Sequence, residues 1–87
     1  MDKRPAMVTQ AEAEVLARAA IQKYLNDCNL QTTDDAGNAL MKLVSVAGVT
    51  MAAVAGGAEA VARLEATAAF IDAKFGTLPP QAPKVVQ

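Results

Sequence analysis

Eighty-seven residues make a single small domain, and a formal net charge of −1, from 8 basic and 9 acidic side chains, leaves neither the basic face of a duplex-DNA binder nor the acidic face of a DNA mimic. One cysteine and no histidine exclude an internal disulfide framework, a Cys/His metal site within one chain, and any catalytic centre that needs an imidazole base. An apolar fraction of 53% is too high for a disordered chain.

Residues 1–8 read as a flexible arm carrying Lys3, Arg4 and Pro5, without the apolar core of a signal peptide. The first helix is expected over about 9–28. Thr9 with Glu12 three residues later has capping-box spacing, and no Gly or Pro follows until the helix is complete. At 100° per residue Ala13, Leu16, Ala17, Ala20, Ile21, Tyr24 and Cys28 share one face. Cys28, with no base to activate it, reads as a small packing residue.

A second helix is expected over about 34–55, capped by Thr33 or Thr32, with Asp34 and Asp35 at the positive end of its dipole. Leu40, Leu43, Val44, Ala47, Met51 and Val54 form its main stripe. The back face is apolar as well, with Val46, Val49 and Ala53 set between Lys42, Ser45 and Thr50. Ser45 is expected to bond back to a carbonyl of its own helix. A helix apolar on most sides must be covered on most sides, so Leu40, Val44, Val46, Val49, Met51 and Ala53 are the expected homo-oligomer interface. The 16 uncharged residues from Leu43 to Ala58 fall short of the roughly 20 that a membrane span needs, and no membrane contact is expected.

Gly56-Gly57 breaks the chain, and a third helix follows over about 58–75. Val61, Leu64, Ala68, Ile71 and Phe75 follow the 3-4-3-4 seam of closely packed helices. Glu59 and Arg63 form an i,i+4 pair outside it, and Gly76 suits a C′ position. Pro79, Pro80 and Pro83 make 77–87 an extended or flexible tail. The expected architecture is therefore all-α, one three-helix domain without strands. Alanine fills 20 of the 46 apolar positions and buries little surface per residue, which makes self-association the simplest source of stability.

Candidate binding residues are few. Phe70 lies about 130° from the third-helix seam, near Arg63 and Lys74, and either packs on a neighbouring helix or serves as a stacking platform beside two cations. Tyr24 with Lys23 is the next pair, Tyr24 reading first as an interior aromatic with a polar tip. Residues Glu59 to Phe70 (basic residue Arg63, then Leu64-Glu65, small residues and aromatic Phe70) resemble the last helix of the small all-helical phage anti-CBASS proteins, which sequester cyclic oligonucleotide signals. That family more often carries tryptophan at the Phe70 position. The resemblance implies a nucleotide contacted by a tyrosine and a lysine outside this helix, for which Tyr24 and either Lys42 or Lys23 are the available residues.

These readings converge on a non-enzymatic helical homo-oligomer without cofactor or metal, cytoplasmic, acting by binding. As a phage or prophage accessory protein it would counter host defence by holding a small nucleotide signal or a host protein. The alternative is a structural assembly protein with no ligand.

Overall fold

The computed structural model describes residues 6–79, so the basic arm at Lys3 and Arg4 and most of the Pro-containing tail lie outside the described residues. Three helices account for the fold: α1 (Gln10–Asp27), α2 (Thr33–Ala55) and α3 (Gly57–Phe75), with no strand among the described residues. The all-α, three-helix reading holds, with boundaries within a residue or two of those expected.

Each helix start has a local cause. Thr9 caps α1: its hydroxyl accepts from the Glu12 N–H at 3.1 Å, and the Glu12 carboxylate accepts from the Thr9 N–H at 2.8 Å. Thr32, not Thr33, caps α2 through the same reciprocal pair with Asp35, whose carboxylate also accepts from the Gln31 N–H. The Asp35 carboxylate thereby fixes the end of the α1–α2 connector, in which Asn29 adopts φ 56°, a left-handed conformation that asparagine tolerates better than most residues. The corner between α2 and α3 is one residue long. Gly56 takes φ 96° and ψ 149°, a region open only to glycine, and Gly57 already belongs to α3. Gly76 ends α3 in right-handed geometry at φ −58°, so the expected left-handed C′ cap is not formed.

Through that corner α2 and α3 close into an antiparallel hairpin. Gly48 lies opposite Leu64, whose Cδ1 is only 3.1 Å from where a Cβ on Gly48 would be. Gly48 and Ala60 are buried, so two small residues set how closely the helix backbones approach. The expected stripe on α2 needs a correction that follows from this. The side facing α3 centres on Gly48, about 80° around the helix from the stripe's middle at Leu40, Ala47 and Met51. Leu40, Leu43 and Met51 are half-buried, but Ala47 is exposed and Val54 is 81% exposed.

α1 takes the opposite edge of that stripe, at the start of α2. The Tyr24 hydroxyl donates to the Ala39 carbonyl at 2.7 Å, and Leu25 and Ala36 are buried at this junction. Only the C-terminal part of α1 is held there. Val15 and Leu16 are exposed, and they line an open hollow of about 350 Å³ with Val8 and Glu12. The α1 face that periodicity defines is thus covered at Ile21 and Tyr24 and bare at Leu16, Ala17 and Ala20.

A chain of this length packed as a sphere-like domain has a radius of gyration near 12 Å. This one reaches 15.5 Å and measures 49 × 28 × 22 Å. Leu25, Ala36 and Ala60 are the only hydrophobic side chains below a tenth exposed among the described residues, and none is fully buried. The described chain has helices and a corner but hardly a core.

Candidate functional site

The third helix carries Glu59, Arg63, Glu65, Asp72 and Lys74 exposed to solvent. Arg63 donates from Nε to a Glu59 carboxylate oxygen at 2.7 Å, one turn earlier, so the expected pair forms. Both side chains are at least half exposed, and such a pair contributes only about 0.3–0.5 kcal/mol, so it yields readily to a stronger anion. Lys74 lies in the last turn, where its charge suits the dipole. No ion pair among the described residues involves it.

Phe70 is 56% exposed and has a neighbour that seam spacing did not indicate. Phe75, expected inside the seam, is 51% exposed and meets Phe70 edge to face, with ring centroids 6.3 Å apart and planes at 71°. Two aromatic rings in this geometry attract through their quadrupoles and present one broad apolar surface. The C-terminal end of α3 therefore carries two exposed rings, Ile71 at 51% exposure, and Lys74 in the same turns.

The Tyr24 neighbourhood behaves differently. Its hydroxyl is used as a tether to Ala39, and desolvation, with Cys28 beside it, pushes the phenol above its ordinary pKa. Lys23 turns away to Asp27, 2.7 Å distant, and that carboxylate raises the ammonium's pKa. Cys28 caps α1 and is exposed, not packed as expected. The back-bond expected of Ser45 is made by Thr50, whose hydroxyl donates to the Val46 carbonyl at 2.9 Å. Of five candidate binding residues, three (Tyr24, Lys23 and Arg63) have their polar groups engaged within the chain. Among the described residues no cluster of acidic or cysteine side chains has the form of a metal site.

The proposed interface residues are mostly open. Val46 is 56% exposed, Val49 72% and Val44 43%, and Ala53 is exposed, whereas Leu40 and Met51 are half-buried. Val46 and Val49 line a shallow hollow of about 340 Å³ on the back of α2 with Lys42, Ser45 and Thr50. With 23 residues and a mean hydropathy of 1.6 over its most apolar 18-residue window, α2 also meets the length and composition of a membrane span. The count of 16 uncharged residues understated this, because the helix runs back through Lys42 to Thr33. Along its flank, however, lies α3, with Glu59, Arg63, Glu65, Asp72 and Lys74.

Sequence reasoning missed Gly48 and Leu25. The signal for Gly48 was a glycine in mid-helix facing an alanine-rich partner, an arrangement that permits close approach. No known protein family, curated protein or solved structure matches the chain.

Proposed function

We propose that this chain is the protomer of a cytoplasmic helical homo-oligomer that acts by binding and has no catalytic chemistry. One observation carries the proposal: fifteen large apolar side chains among the described residues are at least a third exposed, against three hydrophobic residues buried. Apolar surface on that scale is covered in a stable protein, and a core this small supplies little folding free energy alone. The charged flank of α3 favours coverage by protein over coverage by lipid, since five ionisable residues beside α2 would enter the bilayer with it.

The bound species in this reading is a small anionic nucleotide or a host protein, held as a phage or prophage accessory protein would hold it to blunt a host defence. Its support is the resemblance of residues 59–70 to the anti-CBASS proteins, together with the exposed Phe70–Phe75 pair beside Lys74 and a releasable Arg63. A flat base would stack on the rings while a phosphate pairs with the cations. Titration calorimetry against a panel of cyclic di- and trinucleotides tests this. Binding that Phe70→Ala abolishes, with the light-scattering mass and melting temperature unchanged, is the expected result. Phe70→Ala that instead melts the protein would place Phe70 in packing.

A purely structural assembly protein is the second reading, and the use of the Tyr24 hydroxyl as a tether to the Ala39 carbonyl favours it. It predicts the same oligomer and no heat with any nucleotide.

A further inference from the structure

The apolar surface of the α2–α3 hairpin is not scattered. Two open hollows of about 450 Å³ each lie end to end between the helices and share Met41, Val44 and Leu64. The first continues past Val49 and Val61 to Gly57 at the corner, and the second continues to Ile71. Together they make one trough from the corner to the last turns of α3. Met41 is 57% exposed, Val49 72%, Val61 55% and Ile71 51%, and Val44 and Leu64 are more covered.

The seam on α3 explains why the trough exists. α2 takes only its Ala60–Leu64 edge, leaving the Val61–Ala68 edge open. On α2, Met41, Val44, Gly48 and Ala52, three, four and four residues apart, line the other wall. The register is symmetrical about Gly56, with Gly48 opposite Leu64 and, further out, Val44 and Ala68, then Met41 and Ile71, along the same trough. Gly48 and Ala60 are buried at its floor, and the two antiparallel helices present the apolar walls above them to solvent, the form of half a four-helix bundle.

Resting on the homo-oligomer reading above, we infer that this trough receives the same trough of a second copy about a two-fold axis, forming an antiparallel four-helix bundle. The surface area is of the right size. A compact monomer of 9.0 kDa exposes about 4,900 Å², and this chain exposes 7338 Å². Taken over all 87 residues, the excess is larger than the roughly 800 Å² per partner that a stable interface covers, and the more than half-exposed Met41, Val49, Val61 and Ile71 put part of it along the trough. A partner needed for folding must be present whenever the chain is, in equal amount, and a second copy satisfies that condition by itself. A two-fold pairing also lets one self-complementary surface serve both partners. The back of α2 at Val46 lies outside this contact.

Light scattering on the full chain, with charge substitutions on three faces, tests the assignment. The intact protein is expected at twice the chain mass or a multiple of it. Val61→Glu and Ile71→Glu should reduce it to monomer, folded or unfolded, while Val46→Glu and Leu16→Glu leave at least the dimer. In a Cys28→Ser background, oxidation of Val44→Cys, Leu64→Cys or Ala68→Cys should give a covalent dimer, and Val46→Cys should not. A monomeric intact protein overturns this inference and the homo-oligomer reading together. An oligomer that tolerates Val61→Glu and Ile71→Glu, or yields no covalent dimer from any trough cysteine, overturns the inference alone. So does loss of the dimer in Leu16→Glu, which would put the partner's α1 in the trough.

Discussion

The α2–α3 hairpin and α1 are built from the same alanine-rich composition, yet they are held in opposite ways. The hairpin closes on small residues: Gly48 and Ala60 admit Leu64 to within 3.1 Å of the position a Cβ on Gly48 would take, and a one-residue corner fixes the register. α1 is attached at one end, by the Tyr24–Ala39 hydrogen bond and the buried Leu25 and Ala36, and its N-terminal half has no cover. Backbone proximity depends on what is missing from a side chain, whereas a tether depends on one polar group. The first is therefore sensitive to added volume and the second to a deleted atom.

The largest expected effect follows from adding volume. Gly48→Leu forces α2 and α3 apart against Leu64 and should cost about 1–3 kcal/mol in urea unfolding, as overpacking does. Gly48→Ala is the sharper version. Its Cβ requires Leu64 Cδ1 to give by a few tenths of an ångström, while its helix propensity gains up to about 1 kcal/mol. Near-neutral stability is expected, and a loss as large as that of leucine would show that Leu64 cannot move.

Tyr24→Phe deletes the tether alone. A loss of about 0.5–1.5 kcal/mol is typical for such a bond. Hydrogen exchange should show it as faster opening of α1, with the protection of Gly48 to Leu64 unchanged. Equal loss of protection in both regions would mean that α1 and the hairpin open as one unit.

Capping gives a third effect of about 1 kcal/mol, through Thr32→Ala, which frees the start of α2 where α1 also docks. Circular dichroism melting of Thr32→Ala beside Thr9→Ala separates the two regions. Thr32→Ala should lower the main transition, and Thr9→Ala should only fray the bare end of α1.

The smallest effect is a pH dependence confined to that end. The Thr9 backbone N–H, and then its hydroxyl, hold the Glu12 carboxyl below its ordinary pKa. A depressed folded-state value stabilises the helix start above the unfolded pKa, near 4.3, and the contribution is lost as pH falls through the folded value. Relative to the intrinsic amide rate, protection at the first turn of α1 should fall as pH drops below the ordinary carboxylate range in the intact chain, and lose that dependence in Glu12→Gln. A pH response of equal size in α2–α3 would assign it elsewhere.

Local chemistry was the legible part of the sequence. The Thr9–Glu12 capping box, the Gly56 break and the Glu59–Arg63 pair each involve residues within four positions, so spacing alone defines them. Helical periodicity also located the apolar faces, but a stripe does not say which neighbour covers which edge. On α2 the edges go to different helices, α1 near Ala39 and α3 at Gly48, so the stripe's centre points at neither. The same limit hid Leu25, and it left Phe75 in the seam when its ring turns out to meet Phe70. Among candidate binding residues, types and helix positions were readable. That Tyr24 donates to a main-chain carbonyl across the connector was not, because nothing in the spacing of residues 24 and 39 encodes it.

The corner at Gly56 has a topological consequence. Its φ of 96° is the one departure that separates 23 helical residues from the next 19, and both flanking segments are rich in strong helix formers. Replacing Gly56 by alanine removes access to that conformation without disturbing either helix, so the chain's easiest course is to run straight through as one rod of about 64 Å. Each half would then meet its complement only on another molecule. Strand exchange of this kind yields interlocked dimers if it closes and open-ended fibres if it does not. One glycine thus decides whether the two halves of the hairpin find each other within a molecule or between molecules.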